Sequence, residues 1–143
     1  MADDDLAAVE ALWRACDLVV SYNPPAHDIA FCRASQNSEL FVAVTTDGDG
    51  AVVASVMTGH DGHRGWLYYV AVDPAMRGEN LGRQMVAHAE NWLKSLGVRK
   101  VNLMIRETNV AVRAFYESIG YCVEPRTAMA RWIADEPNDR GTA

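Results

Sequence analysis

The sequence predicts a mixed α/β domain. Three observations carry that reading: β-branched runs joined by glycine-rich turns, a strand–helix–strand run after them, and a composition in which half of the 143 residues are hydrophobic. That length suits one domain, expected over residues 1–133, with a polar tail at 134–143. A chain of this size buries roughly two-thirds of the surface it exposes when unfolded.

The elements follow in order. Residues 6–18 read as a helix, because Leu6, Val9, Leu12, Trp13 and Cys16 recur at helical spacing. Asn23-Pro24-Pro25 breaks the chain, and a short helix is expected over 28–35. Residues 39–45 and 51–60 are β-branched-rich and flank Asp47-Gly48-Asp49-Gly50, a hairpin signal. Asp61-Gly62-His63-Arg64-Gly65 leads to a third strand at 66–72, completing an antiparallel meander. Asp73-Pro74 ends it. A helix is expected over 81–96, with Leu81, Met85, Ala89, Trp92, Leu93 and Leu96 on one face and Gly97 as its stop. Residues 101–105 read as a strand parallel to the third, joined by a right-handed crossover. Asn109 is placed to cap a last helix with Val112, Phe115 and Ile119 inward and Gly120 as its stop. Residues 121–124 and 127–133 read as closing strands. Met57, Met85, Met104 and Cys122 read as core, and Trp13 and Trp92 as helix packing.

The net charge of −6 argues against a nucleic-acid binder, which usually presents a basic face. No apolar run approaches the ~20 residues of a membrane span. The acidic start, Met1-Ala2-Asp3-Asp4-Asp5, does not read as a secretory signal. Cys16, Cys32 and Cys122 are odd in number and scattered, which suits a reducing cytoplasm.

Chemistry concentrates in Arg77-Gly78-Glu79-Asn80-Leu81-Gly82-Arg83, which follows a strand and opens a long helix. A helix start offers free N–H groups and the positive end of the dipole, which suit a phosphate. Arg77 and Arg83 add positive charge. The alternative is a plain strand-to-helix turn. The pattern G-x-x-x-x-G-K-S/T is absent, so this is no P-loop, and the dinucleotide pattern G-x-G-x-x-G with its later acid is absent too.

Residues Arg77 to Gly82 resemble the R/Q-x-x-G-x-G/A loop of the GNAT superfamily of N-acetyltransferases. Asn109, Phe115-Tyr116-Glu117 and Gly120-Tyr121 resemble that superfamily's N…FYE-x-x-G-F/Y segment. Gly59-His60-Asp61-Gly62-His63-Arg64-Gly65 further resembles small bacterial single-domain YpeA-like acetyltransferases. The resemblance covers nearly the whole chain. It implies a GNAT-like mixed sheet, an antiparallel meander plus a splayed parallel pair, flanked by about four helices. Two departures stand out. Asn80 replaces an expected glycine, and the strand that usually precedes the first helix is missing.

The resemblance implies acetyl transfer from acetyl-coenzyme A to a primary amine of a small molecule or peptide. The alternative is a non-catalytic acyl-CoA-binding sensor or interaction module. Arg77, Gly78, Glu79, Asn80, Leu81, Gly82 and Arg83 would hold the pyrophosphate. The backbone of Val70, Ala71 and Val72 would hold pantetheine and polarise the thioester carbonyl. Tyr116 would touch the cofactor and act as general acid, or it fills the core. Asn109 would contact pantetheine, or it only caps its helix. The general base stays open between the His60, Asp61 and His63 loop and a water chain. His60 and His63 lack further ligands, so no metal is expected. Neither nucleic acid nor membrane is an expected partner. Many domains of this family are dimers, and nothing in the sequence decides between one copy and two.

Overall fold

The computed structural model describes residues 1–46, 48 and 50–133. The expected polar tail and the Asp47 and Asp49 positions of the hairpin turn lie outside those residues. The chain forms two compact units, residues 1–103 and 104–143.

In the first unit, helices α1 (Leu6–Ala15) and α2 (Pro25–Ala34) precede strands β1 (Ser38–Val44), β2 (Val52–His60) and β3 (Gly65–Val72). Helix α3 (Leu81–Ser95) and the short strand β4 (Val101–Asn102) follow. The sheet order is β1-β2-β3-β4, with β1–β2 and β2–β3 antiparallel and β3–β4 parallel. This is the meander plus parallel pair expected from the sequence. No strand precedes α1 among the described residues.

Local chemistry explains the boundaries. Helix α1 stops early because Asp17 turns left-handed (φ 55°) while the Leu18 N–H bonds back to the Trp13 carbonyl at 3.0 Å. Helix α2 starts earlier than expected because Pro25, at its first position, has the φ a helix needs. Gly97 ends α3 at φ 85°.

The sheet is covered on both faces. Val9, Leu12 and Trp13 of α1 and Ile29 and Cys32 of α2 pack with Leu40, Met57 and Ala71 in one core. Helix α3 packs on the other face through Met85, Val86, Ala89 and Leu93. There Phe41 meets His88 edge-on at 4.5 Å. Gly65 lets the helix approach, since a Cβ would lie 2.7 Å from Leu93 Cδ1. Leu96, expected on the inward face, follows the last turn and is exposed.

The second unit contains helix α4 (Val110–Ser118). The Asn109 side chain caps it, accepting the Val112 N–H at 3.2 Å. The expected inward face is corrected: Val112 is exposed, Phe115 and Ile119 are half-buried, and Tyr116 is the buried residue. The buried stripe is centred one residue away from Phe115. The closing strands are corrected as well. Residues 121–133 form no strand, and β4 ends at Asn102 rather than 105. Strand propensity acts through packing and a neighbour's ladder, and Pro125 removes a donor from the middle of this run. Without that sheet face, Cys122 and Met104 are exposed instead of core.

Candidate functional site

Strand β3 carries the site. Its ladder to β4 covers only Gly65↔Val101 and Trp66↔Asn102. Beyond Trp66, no strand among the described residues pairs with that edge of β3, so residues 67–72 leave it open. Ala71 places its side chain in the core with α1, while Val70 and Val72 are half-buried. The Val72 carbonyl accepts the Cys16 thiol at 3.3 Å.

The strand feeds directly into the predicted loop. Asp73 anchors the turn: its N–H donates to the Val53 carbonyl at 2.8 Å, and its carboxylate accepts the Ala75 N–H at 2.8 Å. One 3₁₀ turn, Pro74–Met76, leads to Arg77 in extended conformation. Gly78 (φ 88°) and Asn80 (φ 67°) are left-handed. Asparagine is among the side chains that tolerate this region, so the loop takes its shape without glycine at Asn80. Arg77, Gly78, Glu79, Asn80 and Arg83 are exposed, and Leu81 and Gly82 are half-buried.

No side chain caps the start of α3. Its first-turn amides therefore point outward with the positive dipole end behind them. The buried stripe of α3 fixes that end beside the close of β3. An open strand edge next to an uncapped helix start suits an extended chain ending in phosphates.

The structure brings Val70, Ala71, Val72 and residues 77–83 into one unit. Asn109 and Tyr116 stand in the second unit. Tyr116 is 7% exposed, and its ring meets Phe115 at 5.0 Å and Tyr121 at 5.4 Å, both edge-on. Burial pushes its phenol up to about 12.

The His60–His63 loop is organised around Asp61. Its carboxylate accepts the His63 N–H at 2.8 Å, the Arg64 N–H at 2.7 Å and the Trp66 indole at 3.0 Å. The Arg64 amide, the Trp66 indole and the His63 amide hold this carboxyl well below the usual range. A carboxylate so committed is a poor proton acceptor, and its visible role is to shape the turn. Among the described residues, no group of three His, Cys, Asp or Glu is arranged to hold a metal. No described helix is long and apolar enough to cross a membrane.

Sequence reasoning missed a feature at Tyr69. Between Ser55↔Ala71 and Met57↔Tyr68, β3 has one residue more than β2. Tyr69 takes φ 49° there, making a bulge. The strand consequently changes faces. Gly65, and by alternation Leu67, face α3, whereas Ala71 joins the α1 core. Simple alternation would have put all three on one side. The only trace in the sequence is the paired Tyr68-Tyr69, which has no distinctive pattern.

Comparisons with known proteins agree with this architecture. Residues 6–121 match the model of the acetyltransferase (GNAT) family. An acetyltransferase of Pectobacterium atrosepticum is 39% identical over 133 residues, covering 92% of each chain. Aminoglycoside 6'-N-acetyltransferase AAC(6')-IG from Acinetobacter haemolyticus superposes with TM-score 0.73 at 16% identity, covering 94% of this chain and 97% of that one. AAC(6')-Iy, in complex with the bisubstrate analog CoA-S-monomethyl-acetylneamine, superposes with TM-score 0.75 at 17% identity, covering 94% and 95%. At those identities the two structures speak for the fold, while the family match and the Pectobacterium relative speak for descent. The chain belongs to the GNAT family of acetyltransferases.

Proposed function

We propose that residues 1–133 act as one acyltransferase domain that moves the acetyl group of acetyl-coenzyme A directly to a primary amine of a small molecule or peptide. The observation that carries this reading is the open edge of β3 at residues 67–72, leading through residues 77–80 to the uncapped start of α3. The bisubstrate analog held by AAC(6')-Iy supports a coenzyme A thioester as donor. The three free cysteines suit a reducing cytoplasm.

In this reading the amides at the start of α3, with Arg77 and Arg83, hold the pyrophosphate. The pantetheine lies along β3, and a backbone N–H at residues 70–72 polarises the thioester carbonyl. The neutral amine attacks that carbon. A C–N bond forms, the C–S bond breaks, the nitrogen passes its extra proton to water, and the sulfur leaves as thiolate. Tyr116 is the donor that protonates or hydrogen-bonds the thiolate. A phenol near 12 gives a proton uphill to a thiol near 8.5, so its contribution is modest. Tyr116→Phe is expected to lower kcat about tenfold. The factor should be the same from about pH 6 to about pH 10, since the phenol stays protonated throughout. An unchanged kcat removes Tyr116 as the donor.

Calorimetry with acetyl-coenzyme A tests the site. Arg77→Ala should weaken binding about threefold to tenfold, the loss of one exposed charge–phosphate contact. Asn80→Gly should hold or tighten it, because glycine accepts φ 67° without strain. Binding without release of free coenzyme A across an amine panel would favour a sensor instead, and no binding by the wild type would end the reading.

A further inference from the structure

Tyr69 is a non-glycine residue in left-handed backbone, a conformation that costs free energy and persists only where the surroundings over-determine it. Here every part of the residue is held. Its ring stacks on Trp13, centroids 3.8 Å apart and planes 8° from parallel. Its carbonyl accepts the Ser55 hydroxyl at 3.0 Å, and Ser55 in turn accepts the Trp13 indole N–H at 2.9 Å. Its phenol donates to Asp28 Oδ2 at 2.6 Å and accepts from the Asn23 amide at 2.9 Å. Asn23 also donates to Asp28. Helix α1, the α1–α2 connection, helix α2 and strand β2 thus all converge on one residue.

That residue immediately precedes residues 70–72, the stretch whose edge is open. We infer that Trp13, Ser55, Asn23 and Asp28 form a latch that locks the Tyr69 bulge, and that Tyr69 is a positioning residue for the thioester-binding edge. The inference rests on the acetyl-coenzyme A reading above. Without the anchors, β3 relaxes toward regular pairing, and the amides after the bulge turn away from where the thioester needs them. Tyr69 acts through its backbone, and its hydroxyl is an anchor rather than a reagent.

The test compares acetyl-coenzyme A affinity, by calorimetry, with thermal midpoint in wild type, Tyr69→Phe, Tyr69→Gly and Tyr69→Ala. Phenylalanine keeps the stack and loses two hydrogen bonds, and should weaken binding about threefold. Alanine loses the ring and hydroxyl anchors and resists left-handed backbone, and should weaken it at least about tenfold. Glycine loses the same anchors but accepts that backbone, so it should bind more tightly than alanine. A residue that merely fills the core predicts the reverse order, since glycine in a strand is the less stable choice. Alanine binding as well as glycine, or all three binding like wild type, overturns the inference. If the glycine and alanine variants do not fold, Tyr69→Phe and Asp28→Ala decide. Each should weaken binding about threefold, and the double variant should be no worse than about threefold, because both break the shared Tyr69–Asp28 bond. Wild-type affinity in both singles overturns the latch. A wild type that does not bind acetyl-coenzyme A instead overturns the functional reading, and the latch falls with it.

Discussion

Gly82→Glu should abolish useful acetyl-coenzyme A binding while leaving the fold intact or slightly more stable. Gly82 is the second residue of α3. In a helix, glycine is about 0.5–1 kcal/mol worse than ordinary residues, and a carboxylate in the first turn is favoured by the dipole. Stability therefore has no reason to fall. Binding has every reason to, because the new carboxylate sits among the amides proposed to receive the pyrophosphate. Like charges within about 5 Å at an effective dielectric of about 20 repel by about 3 kcal/mol, roughly a hundredfold in Kd. Circular dichroism, thermal midpoint and calorimetry together check the outcome. An unchanged Kd would place the anion elsewhere, and a lost helix would void the comparison, leaving Arg77→Ala as the arbiter.

Trp13→Ala should be the most damaging single truncation in the first unit. Trp13 is fully buried among Val9, Leu12, Ile29, Leu40 and Met57. Removing a buried tryptophan costs about 3–5 kcal/mol, and the Ser55 hydroxyl also loses its indole donor. Domains are stable by only about 5–15 kcal/mol, so the variant stands near its unfolding limit at ambient temperature. Urea denaturation reads the cost as a shift in midpoint at constant slope. Trp13→Phe, which keeps a ring against Tyr69, should recover more than half of it. A loss below about 2 kcal/mol for alanine would mean that α1 is not docked as described.

How far the sequence was readable follows from which forces set each element. Helix α3 was legible because a long amphipathic stripe, with Gly97 at its end, is a local signal. The 77–83 loop was legible as a strand-to-helix connection because Asp73-Pro74 ends the strand and the α3 stripe opens at Leu81. Asn80 even kept the left-handed geometry that its replacement of glycine put in question. The Asn109 cap needed only the next three residues. Elements that depend on distant partners were read less well. Residues 121–133 had strand composition but no paired ladder. The inward face of α4 depends on what packs against it, and Tyr116 rather than Phe115 is the buried residue. The bulge at Tyr69 is set by Trp13, Ser55, Asn23 and Asp28, each remote in sequence, so no window around Tyr69 announces it. The turn at Asp61 lay between, since its residues were visible but its commitment to three donors was not.

The change of face along β3 makes the strand's length matter more than its spelling. Tyrosine, phenylalanine or leucine can exchange at many points of a strand and leave the layers where they are. Adding one residue between Leu67 and Ala71 cannot, because with the bulge kept it would rotate Ala71 out of the α1 core, whereas removing one keeps Ala71 on that face but erases the bulge. An insertion here is thus an error of phase, and a deletion the loss of the bulge, rather than a change of composition. A descendant of this chain can drift far in sequence through β3 and still keep count.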